Sequence, residues 1–154
     1  QSSIMSMKMV RAMGGSPTPV PWGDLYTALD QGVVDAAENN APSFRTSRHY
    51  EVCPYYCLDE HTCLPDILVI STRVWKGLSP GQQRVLQEAA EESVTYQRKI
   101  WAEAELKDLQ TVQEQGAKIV RPDKGPFRES VRPIWEEFKG TEIGRLIEQI
   151  QEVQ

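Results

Sequence analysis

The sequence has no long apolar run, no excess of positive charge and few cysteines, and each shortage closes off a class of function. Its longest aliphatic stretch is Ile67-Leu68-Val69-Ile70, far below the roughly 20 apolar residues that a helix needs to cross a bilayer. With 17 Lys and Arg against 22 Asp and Glu, the net charge is -5. A nucleic-acid binder needs a basic footprint to neutralise phosphates, so no nucleic-acid partner is expected. Three cysteines, Cys53, Cys57 and Cys63, are too few and odd in number for a disulfide framework. With His49 and His61 they supply enough sulfur and nitrogen for zinc, yet the pattern C-x3-C-x5-C lacks the paired short hooks of zinc motifs. One disulfide, or three thiols packed as small hydrophobes, fits the residues better, and neither metal nor cofactor is expected. A nucleophile elbow, an H-E-x-x-H helix and a P-loop are missing too, so catalysis is not expected. The chain opens at Gln1-Ser2-Ser3 without Met, basic n-region or apolar h-region; the expectation is a signal peptide that was removed or lay further upstream.

What is present reads as one α/β unit. A chain of 154 residues can bury roughly 68–70% of the surface its unfolded form exposes, enough for a real core. Residues 4–13 form a short helical run stopped by Gly14-Gly15. Ser16-Pro17-Thr18-Pro19-Val20-Pro21 must be extended, because each proline pushes the residue before it out of the helical region. Asp24 stands where it can cap a helix through Leu25, Ala28 and Leu29 that ends at Gly32. Val33-Val34-Asp35-Ala36 is a strand candidate, and Asn39-Asn40-Ala41-Pro42-Ser43 a turn with Pro42 in the first turn of the next helix. From Tyr55 to Thr72 two strands broken at Pro65 are expected. Ser79 then caps and Pro80 starts a helix that nothing interrupts until Gly116, a rod of about 50 Å at 1.5 Å per residue. Its apolar residues Val85, Leu86, Ala89, Ala90, Val94, Ile100, Trp101, Ala104 and Leu109 cover a broad face, which reads as a buried spine tying two lobes together. Ala117 to Val120 gives a strand, and residues 126–139 and 141–151 give two amphipathic helices.

The stretch from Met13 to Asn39, with its small-residue turn, its Pro17-Thr18-Pro19 strand, Trp22, the Asp24-Leu25-Tyr26-Thr27-Ala28-Leu29 helix and the Gly32-Val33-Val34-Asp35-Ala36-Ala37-Glu38-Asn39 turn, resembles the signature of solute-binding subunits of tripartite ATP-independent periplasmic (TRAP) transporters, the DctP-like family. The similarity continues through Tyr50-Glu51-Val52, Glu60-His61-Thr62, Trp75 and the long helix. Asp24 departs from the usual Glu and Ala36 from the usual Gly. The resemblance implies a periplasmic-binding-protein-like lobe, a mixed sheet flanked by helices with a spine helix near residues 80–115. It implies a fragment of a two-lobe protein, since the family has about twice this length and places its first lobe earlier. Residues 1–78 would be the second, ligand-binding lobe, 79–116 the spine helix, and 117–154 a C-terminal strand and helices. A carboxylate-gripping arginine lies, in the family, on a strand ahead of the position of Gln1. The implied function is extracytoplasmic, periplasmic capture of a small organic acid for delivery to TRAP membrane permease subunits.

Four residues are candidates for the ligand wall. Trp22 sits at a loop-to-helix junction, where clefts form; the family packs an aromatic on the ligand here, and core packing is the plainer reading. Asn39 can donate and accept at a carboxylate and its neighbouring hydroxyl, or it is there for turn geometry alone. Ser43, one helical turn beyond Asn39, could share its face. His61 is either a structural residue or a further contact. The polar turn resembles family members that bind uronates or related sugar acids. Arg45, Arg48 and His49 cluster after it and could hold an anion. Two rival functions are a cysteine/histidine metal or redox protein and a helical interaction module. A lobe without its mate is also open to homodimer formation or domain swapping.

Overall fold

A computed structural model describes residues 3–153. Helix α1 (Ile4–Ala12) is capped by Ser3, whose hydroxyl accepts the Ser6 N–H. The proline-rich stretch runs without regular structure into a one-turn 3-10 helix, Trp22–Asp24, and α2 (Leu25–Asp30), which buries Ala28 and Leu29. Asp24 occupies the cap position of α2, but its side chain makes no capping bond, because its backbone is already helical and belongs to the preceding 3-10 turn. Helix α3 (Ala41–Thr46) is capped by Asn40, whose Oδ1 accepts the Ser43 N–H at 2.8 Å.

The sheet is smaller than expected. Strands β1 (Tyr55–Cys57) and β2 (Lys118–Val120) pair in parallel, Tyr56 opposite Ile119. Residues 33–35 form a bend and Ala36 has no regular structure, nor has the segment from Leu58 to Ser71. Both had the β-branched composition of strands. Composition, however, only suits a residue to a pleated surface, and a strand also needs a neighbour for its backbone groups. The expected aliphatic strand instead stands open, Ile67 at 76% and Val69 at 80% exposure.

The long helix holds as read. After the short α4 (Thr72–Gly77), α5 runs from Pro80 to Glu114, 35 residues, with Ser79 and Gln82 closing a reciprocal capping box. At its far end Gly116, at φ 102, turns the chain so that Ala117 N–H reaches Val112 C=O; a glycine adopts that left-handed turn without steric cost. Within this chain the apolar face of α5 is mostly uncovered: Val85, Leu86, Val94, Ile100 and Trp101 are exposed, and only Asp108 and Val112 of α5 are buried. A rod of about 50 Å outreaches the elements of this chain that pack on it, and its principal neighbour is the six-residue α3.

The core therefore sits at the C-terminal end of α5. Phe44, Val112 and Ala117 are buried together, with Tyr50, Cys53, Tyr56 and Ile119 packed against them. Phe44 stacks on Tyr56 at 4.8 Å. Arg45 of α3 reaches across to the buried Asp108 of α5, Nε to Oδ1 2.5 Å. Helices α6 (Gly125–Glu136) and α7 (Glu142–Glu152) close the chain, joined by a tight corner at which Thr141 both donates to Phe138 C=O and accepts from Gly144 N–H.

Candidate functional site

The extended prolines fix where Trp22 emerges. With Pro21 leading into the 3-10 turn, the indole is carried at the start of α2 and remains 54% exposed. It stands edge-on to the imidazole of His49, ring centroids 5.3 Å apart at 68°. His49 is buried at 4% exposure, and burial pushes its imidazole below its ordinary pKa.

Asn39 is set by a different anchor. Its carbonyl accepts the Tyr56 hydroxyl at 2.8 Å, tying the turn to the core, and its Oδ1 accepts the Asn40 N–H at 2.9 Å. With the amide oxygen so engaged, the NH2 group is what Asn39 can offer to a ligand, a donor suited to a carboxylate or hydroxyl. Burial, aided by the charges of Glu105 and Asp59, raises the Tyr56 phenol to about 12.

Ser43 lies on α3 while Asn39 lies ahead of the Asn40 cap. The helical spacing that would put the two on one face therefore does not apply, because only residues within a helix share its period. His61 lies in the irregular segment after the left-handed Glu60, not mid-strand. The fold does bring it to the Asn39 turn: Nδ1 is 2.7 Å from Asp59 Oδ1 and Nε2 is 3.9 Å from the Glu38 carboxylate.

The structure thus gathers Trp22 with His49, and His61 with the Glu38-Asn39 turn, at the two ends of the segment that holds α3. The two guanidinium groups of the arginine cluster are engaged within the chain. Arg45 is committed to Asp108 and Arg48 to Glu51, at 2.6 Å, so both guanidinium charges are already balanced within the chain. Surface hollows lined by Ile70, Thr72, Trp75 and Gln87, and by Gly140, Thr141, Glu142, Arg145 and Glu148, include none of the candidate residues. Cys53, Cys57 and Cys63 are free thiols, and among the described residues no three His, Cys, Asp or Glu side chains gather to hold a metal. Sequence reading missed the anchoring roles of Tyr56 and of Tyr26, whose hydroxyl donates to Glu51 Oε2 at 3.1 Å. Tyr26 had a signal, standing four residues after Trp22; Tyr56 had none, since its partner is a backbone carbonyl 17 residues away.

Comparison with known proteins places this arrangement. The family of bacterial extracellular solute-binding proteins, family 7 (DctP), matches residues 1–141. A solute-binding protein of Chromohalobacter salexigens is 38% identical over 151 residues, covering 96% of this chain and 45% of the relative. A crystal structure of a TRAP periplasmic solute-binding protein from the same species, with bound D-glucuronate, superposes with a TM-score of 0.93 at 36% identity, over 100% of this chain and 52% of that one. Another, from Bradyrhizobium sp. BTAi1 in complex with D-galacturonate, gives a TM-score of 0.88 at 39% identity, over 99% and 51%. The chain spans about half the length of the relatives it matches. The match extends over most of the sequence, and the helix-rich lobe with its small parallel sheet superposes on solved binding proteins. The chain belongs to the bacterial extracellular solute-binding protein family 7, the DctP family of TRAP transporter binding proteins.

Proposed function

We propose that this chain is one lobe of a periplasmic binding protein that captures a hexuronate or related sugar acid and delivers it to the membrane permease of a TRAP transporter, without chemical change to its cargo. The observation that carries the reading is the superposition of the whole chain on a D-glucuronate-bound relative. The residues support it chemically. Trp22 offers a flat apolar face for the C–H side of a sugar ring, Asn39 an amide donor, and Ser43 and His61 further polar groups for hydroxyls. Residues 1–78 form the ligand-binding lobe, 79–116 the spine and 117–154 the C-terminal strand and helices. A first lobe like that of the relatives packs on the surfaces left open here, Ile67 to Ile70 and the apolar face of α5, and supplies the carboxylate-gripping arginine.

The test is Trp22→Ala in a protein that contains both lobes. An aromatic that stacks on cargo and is 54% exposed supports little core, so D-glucuronate affinity drops by about 1–3 kcal/mol while the melting transition stays cooperative. A variant that melts without cooperativity, yet binds normally when cooled, makes Trp22 a core residue and sinks the assignment.

A further inference from the structure

Trp22 presents a difficulty that the fold solves. Its indole is 54% exposed on a single helical turn, while a stacking platform is useful only if its tilt is fixed before the ligand arrives. We propose that His49 is the positioning residue that sets the tilt of Trp22, acting on ligand affinity through the indole without touching the ligand. The inference rests on the reading of Trp22 as cleft wall.

The geometry runs as a relay of contacts. His49 is buried while its ring neighbours are not: Trp22 stands against it at 5.3 Å and 68°, and Tyr26 lies tilted at 6.4 Å and 32°. The edge-to-face arrangement is the one the ring quadrupoles favour. Whichever ring contributes the edge, at least one face of the indole stays clear of the imidazole. Tyr26 is held in turn, its hydroxyl donating to Glu51 Oε2 at 3.1 Å, and the other oxygen of Glu51 accepts from Arg48 Nε at 2.7 Å. The backbone is also fixed. The His49 carbonyl accepts the N–H groups of Val52 and Cys53, and Arg48 immediately before it is left-handed at φ 58. A non-glycine residue holds that conformation only where its surroundings over-determine it, and the Arg48–Glu51 pair supplies that constraint. Arg48 and Glu51 pair across the one-turn 3-10 helix His49–Glu51, and that helix holds His49.

The experiment uses the 154-residue chain with 5-fluorotryptophan at its four tryptophans, the Trp22 resonance being assigned by its loss in Trp22→Phe. His49→Gln removes the ring while filling much of its space; His49→Phe keeps a ring. In His49→Gln the fluorine resonance of Trp22 shifts and narrows while those of Trp75, Trp101 and Trp135 stay in place, and in His49→Phe it returns towards the parent position. D-glucuronate titrated by calorimetry into the chain joined to the first lobe of the Chromohalobacter salexigens relative binds about three- to tenfold more weakly when the chain carries His49→Gln, and the Phe variant recovers most of the loss. An unmoved Trp22 resonance in His49→Gln overturns the proposal, as does a His49→Phe variant that behaves like His49→Gln. If Trp22→Ala leaves the D-glucuronate affinity of that two-lobe protein unchanged, the cleft-wall reading itself fails, a result distinct from loss of the buttress.

Discussion

In the proposed function Asn39 divides its polar groups between chain and cargo, and its substitutions separate the two roles. Aspartate at this position can still accept the Asn40 N–H, but it replaces the amide donor with a negative charge facing an acidic ligand. Asn39→Asp therefore binds D-glucuronate more weakly than Asn39→Ala. Equal affinities in calorimetry would show that Asn39 does not meet the charged end. His49 and Tyr56 give the site opposite pH limits. Since burial lowers the His49 pKa, the unfolded chain takes up its proton first, and stability falls as pH drops below about 6.5. Tyr56 is raised to about 12, so its unfolded form ionises first and stability falls as pH rises above about 10. Thermal unfolding across pH checks both: His49→Phe flattens the acid slope relative to the parent and Tyr56→Phe the alkaline one, and slopes unchanged by these substitutions would contradict the assignments. Trp22 and Asn39 were legible as candidates because proline, capping and turn chemistry act within a few residues. His49 was not, being read as a member of a cationic cluster, because its role arises only when the one-turn helices Trp22–Asp24 and His49–Glu51 are brought together.

At the scale of elements, helix ends decide more than helix middles. The Ser79-Pro80-Gln82 start and the Gly116 stop of α5 were readable residue by residue, and both stand as expected. The strands were not, because pairing depends on a remote partner: Tyr55–Cys57 finds Lys118–Val120 across more than 60 residues, while the equally suitable Ile67 to Ile70 finds none among the described residues. Gly116→Ala forces a Cβ into a left-handed turn and costs about 1–2 kcal/mol. Gly144→Ala has a different cause, since a Cβ there would lie 2.2 Å from the Phe138 carbonyl oxygen. The α6–α7 corner must open to admit it, at a cost of about 1–3 kcal/mol. Chemical denaturation of the two variants measures both losses, and a Gly144→Ala variant as stable as the parent would show that the corner is not closed.

The whole molecule has an unequal distribution of apolar surface. Its core lies where α3, the end of α5 and the two strands meet, whereas Ile67 to Ile70 and much of the apolar face of α5 are open to solvent. Apolar surface left open on this scale marks an interaction face. In the two-lobe reading that face receives the other half of the binding protein, and cleft closure then dries the ligand and strengthens each polar contact. The ordered signature from Met13 to Asn39 made the family legible; the open face was not, because helix periodicity reports an apolar stripe and not what covers it. The most direct measurement titrates D-glucuronate and D-galacturonate by calorimetry into the 154-residue chain and into the same chain joined to the first lobe of the Chromohalobacter salexigens relative. A bidentate arginine–carboxylate pair contributes roughly 1.5–3 kcal/mol per charge-assisted bond. The two-lobe protein should therefore bind at least one of the two hexuronates at least tenfold more tightly than the chain alone, and a folded two-lobe protein with no affinity for either sugar acid would contradict the account.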